Sequence, residues 1–302
     1  MSAVLPPIAP DRMPVARRIG GFVALTKPRI IELLLVTTLP TMIVAARGLP
    51  GWQLILATLA GGTLAAGGAN AINMVIDRDI DAVMRRTRRR PLVTGVVSPG
   101  EALAFAIALE VGAFALLWAE VNLLSAVLAV SATLFYVFVY TLWLKRTSRQ
   151  NIVIGGAAGA VPVLVGWAAV RDSVGWAPVV LFALMFVWTP PHFWALAIRY
   201  RDDYKSVDVP MMPVVTSFRR TAGQIFIYSL LVAVVSLVFG WTAGMGALYW
   251  IAAASLGAVF CGLALDLWRR PTEGRAMRLF HWSITYVTLL FGAMALDQLV
   301  VH

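Results

Sequence analysis

Apolar residues run along this chain in nine blocks separated by short polar stretches. The blocks fall at 28–47, 52–77, 100–119, 121–143, 151–170, 176–198, 222–242, 246–267 and 280–300. Each is near the roughly 20 residues that a helix needs to cross the hydrocarbon core of a bilayer. The pattern therefore predicts an all-α integral membrane protein of about nine transmembrane helices. The turn between the third and fourth blocks, around Glu120-Val-Asn122, is very short. Glycine pairs such as Gly61-Gly62, Gly67-Gly68 and Gly155-Gly156 favour close helix packing within such a bundle.

Composition agrees. The chain is 60% hydrophobic and 13% charged, with a mean hydropathy of +0.81. A soluble domain carries about twice that charge. Residues 1–26 contain proline and arginine but no apolar core of signal-peptide type, and they read as a disordered cytosolic arm. Residues 27–302 read as a single transmembrane domain. The one cysteine, Cys261, excludes a disulfide framework within the chain and any metal site built of cysteine alone.

The net charge of +10 is not spread evenly. Of 25 Lys and Arg residues, Arg47 and Arg171 alone fall in the loops after odd-numbered blocks. Positive residues stay on the cytoplasmic side, so the amino terminus and the even-to-odd loops are expected in the cytosol and the carboxyl terminus outside. A bacterial plasma membrane is the expected location, with the mitochondrial inner membrane as the lesser alternative.

The polar residues that break the pattern cluster at the end of the second block, in Asn70-Ala-Ile-Asn73-Met-Val-Ile-Asp77-Arg78-Asp79-Ile-Asp81, followed by a run of arginines that ends at Arg90-Pro91. At about 100° per residue, Asn73, Asp77 and Asp81 fall within about 80° of one another on a helix, and Asp79 points elsewhere. Two carboxylates and an amide on one stripe suit a hard cation such as Mg²⁺, which usually arrives with phosphate. The arginines suit the rest of that phosphate. A solvated helix end with paired acids and arginines is the plainer alternative. Ionisable groups in such segments are functional by default.

A weak internal repeat extends the pattern. Four blocks later, the loop after the sixth carries Asp202-Asp203-Tyr204-Lys205 and Asp208, so both acid clusters face the same side. Two parallel four-helix pseudo-repeats plus a ninth helix account for this. The basic loops Lys145-Arg146-Thr-Ser-Arg149 and Arg269-Arg270 form a second matched pair. Together these loops would ring a pocket for two Mg²⁺ ions and a diphosphate. Metal and cationic side chains absorb the charge that develops on a diphosphate leaving group. An allylic cation left behind would need a dry, π-rich surround, for which Trp188, Phe193 and Trp194 are candidates.

These residues carry a resemblance. The chain resembles the intramembrane prenyltransferases of the UbiA superfamily, and within it the branch that acts on heme. The likeness runs from Lys27 to Asp297. It rests on Leu25-Thr-Lys27-Pro-Arg29-Ile, on Asn73…Asp77-Arg78-Asp79-Ile-Asp81…Arg86-Thr87…Arg90-Pro91, on Tyr140-Thr-Leu-Trp-Leu-Lys145-Arg146-Thr, on Trp188-Thr-Pro190-Pro191-His192-Phe193-Trp194 and on Asp203-Tyr204. The resemblance implies transfer of the farnesyl group of farnesyl diphosphate to a vinyl group of heme B, giving heme O and diphosphate. The product would pass to a downstream heme A synthase or to oxidase assembly factors. By the same resemblance Asn73, Asp77 and Asp81 take a first Mg²⁺ and Asp203 a second. Arg78, Arg86, Arg90, Lys145 and Arg146 are expected to clamp the diphosphate, with Lys27 and Arg29 behind them. Heme B is then a substrate, not a cofactor.

His192 follows two prolines, and it could either anchor heme or cap the carbonyls freed by a kink. The metal stripe itself leaves open an aromatic or quinone precursor as acceptor. A secondary transporter of organic anions is the alternative of a different class, but it would place its polar groups on broken spans near the membrane midplane. Nucleic acid is not an expected partner; the lipid bilayer is.

Overall fold

A computed structural model describes residues 14–301 of the chain, and residues 1–13 and 302 lie outside the described residues. Described residues form helices and connecting turns, with no strand among them. Each of the nine apolar blocks coincides with a helix or a chain of helices. Eight helical stretches are long and apolar enough to cross a membrane, and Leu35–Ala46 is a shorter apolar stretch.

The first departure from expectation is at the amino terminus. Part of the supposed disordered arm forms α1, Val15–Thr26. Its Leu25 is fully buried, Phe22 packs on Phe105 with ring centroids 5.1 Å apart, and Arg18 pairs with Glu101. The arm is ordered because it has an apolar side and a complementary surface, which composition alone does not reveal. Gly21 allows this approach, since a side chain there would run into Val96 and Val97.

α1 stops at Lys27, which takes a left-handed conformation at φ 53°, and α2, Pro28–Ala46, begins immediately. Proline disfavours the α region in the residue before it, and it fits the first position of a new helix. The Lys27-Pro28 pair thus breaks what would be one long helix into two.

The next helix, α3 (Trp52–Ile76), is followed after Asp77 by the short α4, Arg78–Val83. The expected continuous helix through Asp81 is interrupted at Asp77, whose φ and ψ are −85° and 3°. Backbone hydrogen bonds nevertheless run from Asp77 to Asn73 and from Asp81 to Asp77, so the stripe keeps its helical order. α3 lies close to α5 (Pro99–Glu120), with Gly61 against Leu117 and Gly68 against Glu110. Ser98 and Glu101 form a reciprocal capping box that starts α5.

Asn122 makes the tight turn to α6 (Leu123–Leu134). Its side chain accepts from the Ser125 N–H and donates to the Ala168 carbonyl. α6 then continues as a π-helical stretch, Phe135–Leu144, and ends in α7, Lys145–Thr147. Wide π turns of this kind occur often at functional sites.

α8 (Asn151–Arg171) and α9 (Trp176–Arg199) follow, then the short α10 (Arg201–Lys205) and α11 (Met212–Val215). α12 (Phe218–Thr242), α13 (Ala247–Arg269) and α14 (Glu273–Val301) complete the bundle. The main core lies among α8, α9, α12, α13 and α14. Asp297, buried on α14, accepts the Gly246 and Tyr249 N–H groups and so satisfies the start of α13. The loops after α3 and α9 each carry a short acidic helix, α4 and α10, at matched places in the chain.

Candidate active site

A cavity of about 650 Å³ opens between α2, α3, α6, α8, α9 and α14. Its polar end is built by one continuous stretch of chain, from α3 through α4 to the arginine loop, together with the distant Lys145. Asn70 and Asn73 come from α3, Asp81 from α4, Arg86 and Arg90 from the loop after it, and Lys145 from the end of the π-helical stretch. His192 lines the same cavity from α9.

Asp77 is fully buried beneath this lining. Asn73 Nδ2 donates to Asp77 Oδ2 at 2.7 Å and to Thr141 Oγ1 at 3.2 Å, and Lys145 Nζ also reaches Asp77 Oδ2. The π-helical geometry makes this possible: the Thr141 hydroxyl bonds to the Tyr136 carbonyl five residues back, and Lys145 closes the last wide turn on Tyr140. Asp81 pairs with Arg90 at 2.5 Å, and its carbonyl accepts the Thr87 hydroxyl, which folds the arginine loop back over α4.

Asp77 and Asp81 are therefore not at a solvent-facing helix end, as a helix meeting water would have it. Their side chains are 0% and 4% exposed. By contrast Asp79 is 59% exposed and makes a bidentate pair with Arg146 at 2.7 and 2.8 Å. Those hydrogen bonds hold the Asp79 carboxyl well down, to about 2.

Lys27 reaches the same cluster from the break between α1 and α2. Its Nζ donates to Asn73 Oδ1 at 3.1 Å and to Asn70 Oδ1 at 3.3 Å, while Asn70 Nδ2 donates to the Thr26 carbonyl at 3.1 Å. A polar group thus enters the site from the helix break before α2. The sequence signal for this was Lys27-Pro28, read as one end of a span and not as an interruption.

Other expected residues are placed differently. Arg78 is exposed and does not line the cavity. Arg146 sits at its edge, paired with Asp79 and 3.8 Å from Asp77 Oδ1. Asp203 is buried behind the arginine loop, where Oδ2 accepts the Arg86 backbone N–H at 3.1 Å and Oδ1 lies 3.5 Å from Arg85. The Arg86 side chain lies over the Tyr200 ring at 5.4 Å. Neighbouring Tyr204 lines the cavity, as do Tyr136 and Tyr140. Tyr140 and Tyr204 stand in the motifs that carry the resemblance but have no role assigned there, and Tyr136 is not singled out by the sequence. Gly155 admits the Tyr140 ring, which a Cβ would meet at 2.2 Å.

His192 is stacked between Trp188 (centroids 4.3 Å apart) and Phe280 (4.7 Å). Its Nδ1 lies 2.7 Å from the Ser283 hydroxyl on α14, so its partner is a side chain on another helix, not a carbonyl freed by the prolines. Trp188 and Phe193 line the cavity, whereas Trp194 is fully buried elsewhere, packed on Tyr228.

The residues present fit Mg²⁺. Among the described residues no group of three or more acid, histidine or cysteine side chains converges on one point. Mg²⁺ bound with substrate phosphate asks for only one or two protein carboxylates and keeps its remaining positions for phosphate and water. Asp77 Oδ1 is buried without a hydrogen-bond partner, with the Arg146 guanidinium 3.8 Å away, which leaves an acceptor position open on that carboxylate.

A helical bundle whose polar site carries hard acceptors beside a cluster of cations, opening into an apolar cavity, belongs to a definable class. The UbiA prenyltransferase family model matches residues 34–285, and the chain belongs to that family. It is 54% identical over 290 residues to the protoheme IX farnesyltransferase of Streptomyces avermitilis, covering 94% of this chain and 95% of that one. It is 53% identical over 289 residues to the protein of the same name from Clavibacter sepedonicus, covering 95% and 94%. The fold is similar to that of a digeranylgeranylglyceryl phosphate synthase, with a TM-score of 0.76 at 16% identity over 93% of this chain and 98% of that one. A UbiA homolog from Aeropyrum pernix K1 gives 0.70 at 20% identity, over 89% and 99%. A UbiA homolog from Archaeoglobus fulgidus, solved with DMAPP and Mg²⁺, gives 0.62 at 14% identity, over 91% and 99%.

Proposed function

We propose that this membrane enzyme transfers the farnesyl group of farnesyl diphosphate to a vinyl group of heme B, giving heme O and diphosphate. The observation that carries the assignment is the near-full-length identity of more than half to protoheme IX farnesyltransferases, whose name states a farnesyl transfer to protoheme IX. The cavity supports it by joining a cationic, oxygen-rich end to a wide aromatic and apolar interior.

Asn73, Asp77 and Asp81 would hold Mg²⁺, which supplies positive charge to the departing diphosphate. Arg86, Arg90 and Lys145 line the same end and bind the phosphate oxygens, and Arg146 stands at the edge. In the structure, Lys145 neutralises Asp77 and Arg90 neutralises Asp81. With Mg²⁺ on these carboxylates, Lys145 and Arg90 would be free to bind the substrate phosphates. Lys27, held by Asn70 and Asn73, adds a further charge at that end. A second ion, expected at Asp203, would have to displace the Arg86 N–H and Arg85 from that carboxylate.

Breaking the carbon–oxygen bond of the donor leaves an allylic cation. The ring faces of Tyr136, Tyr140 and Trp188 around the cavity stabilise it, and the buried lining keeps water away until carbon attacks. The vinyl group gives its electron pair to the allylic carbon. Water then adds to the resulting cation beside the porphyrin and loses a proton, which leaves a hydroxyl group. His192, braced by Ser283, Trp188 and Phe280, anchors the porphyrin. The charge distribution supports a polar end facing the cytosol, in what we take to be a bacterial plasma membrane.

The test is direct. Purified protein with Mg²⁺, heme B and farnesyl diphosphate should yield a heme whose mass has risen by one farnesyl group and one hydroxyl group, with release of diphosphate. Prenylation of a hydroxybenzoate in place of heme would move the enzyme to the other acceptor class.

A further inference from the structure

We propose that Gly62 on α3 sets the donor chain length, by leaving open the level of the cavity where the third isoprene unit lies. The inference rests on the prenyl-transfer reading above.

α3 carries four glycines, although glycine weakens a helix relative to alanine. Three are explained by packing: Gly61 meets Leu117, Gly67 meets Thr26 and Gly68 meets Glu110. Gly62 is not. A Cβ there would have nothing within 4 Å, and the residue lines the cavity. Of the cavity glycines on α8, Gly155 and Gly156 are filled by Tyr140 and Thr189, and Gly159 is open like Gly62. Gly62 therefore preserves space in the cavity and no contact.

Its depth matches the donor. At 1.5 Å per residue, Gly62 lies about 16 Å along α3 from Asn73, and Thr58 about 22 Å. Bonds of about 1.5 Å advance an extended prenyl chain by about 5 Å per isoprene unit, so three units span about 15 Å. With the diphosphate, itself about 5 Å long, at Asn73, the third unit of a farnesyl chain runs from about 15 to about 20 Å and passes Gly62, and a fourth would reach about 25 Å. Thr58, nearly buried and bonded to the Leu54 carbonyl, lines the cavity one turn deeper and closes it to a fourth unit.

The experiment compares geranyl, farnesyl and geranylgeranyl diphosphates as donors for the wild type and for Gly62→Ala, Gly62→Leu and Thr58→Ala. Gly62→Leu should shift the ratio of kcat/KM toward the geranyl donor by about ten-fold or more, with Gly62→Ala between it and the wild type. Thr58→Ala should raise the relative use of the geranylgeranyl donor. A folded Gly62→Leu protein with the wild-type ratio overturns the proposal. Should that variant not fold, unchanged ratios in both Gly62→Ala and Thr58→Ala overturn it instead. A wild type that prenylates heme with none of the three donors would refute the underlying reading. The length ruler is then still read from thermal shifts produced by the three diphosphates with Mg²⁺, and equal shifts for all variants sink it separately.

Discussion

Asp203 Oδ2 accepts the backbone N–H of Arg86 at 3.1 Å, which joins the acidic loop after α9 to the arginine loop after α4. The two loops that resemble one another in sequence thus meet in space, and the carboxylate of one positions the cation of the other. An asparagine at this position keeps an acceptor oxygen, and an alanine does not. We expect Asp203→Asn to retain most of the activity and Asp203→Ala to lower kcat/KM by about ten-fold, the cost of one hydrogen bond that orders a binding loop. Equal and complete loss in both variants, at saturating Mg²⁺, would return Asp203 to the second metal site.

Asp77→Asn and Asp81→Asn should each abolish formation of prenylated heme. They should also lower thermal stability, because each leaves a cation without its buried partner. Breaking such a pair from one side costs about 3–5 kcal/mol. Asp79→Asn disrupts an exposed pair with Arg146, worth about 0–1 kcal/mol, and should leave stability and most of the turnover intact. Unfolding scans with product assays at several Mg²⁺ concentrations separate the cases. Wild-type turnover in Asp77→Asn would remove that residue from the metal site.

His192→Ala should raise the apparent KM for heme by about ten-fold while that for farnesyl diphosphate stays within about two-fold, as expected for one lost anchoring contact. Ser283→Ala should show the same split more weakly, because the Ser283 hydroxyl fixes the imidazole through Nδ1. Steady-state kinetics with each substrate varied in turn give the answer. Parallel loss for both substrates would make His192 a packing residue of the α9–α14 contact.

Orientation is tested by single cysteines in a Cys261-free background. Those at Arg149 and Thr272, both exposed, should be shielded from an impermeant thiol reagent added outside intact cells. One at Leu49, which is 73% exposed, should react. Gly244 is a poorer site on the outer side, since its φ of 64° strains any side chain. The reverse labelling pattern would turn the polar end of the cavity outward.

The one-dimensional pattern was enough for the membrane class, the positions of the apolar helices and the Asn73, Asp77, Asp81 stripe. These depend on local composition and on the helical repeat, both carried by neighbouring residues. The resemblance added the reaction. Other features needed the assembled bundle. That Asp77 and Asp81 are buried, and that Asp79 alone of the three faces water, follows from what packs over α4, which no periodicity can state. The partner of His192 is on α14, 91 residues away, and the partner of Asp203 is a backbone N–H 117 residues away. Local signals do exist for the break at Lys27-Pro28. Only tertiary contact shows that the break delivers an ammonium group to Asn70 and Asn73. Helices are specified by interactions a few residues long, whereas a site gathered from α3, α4, the π-helical stretch, α9 and the turn before α2 exists only once those helices have packed.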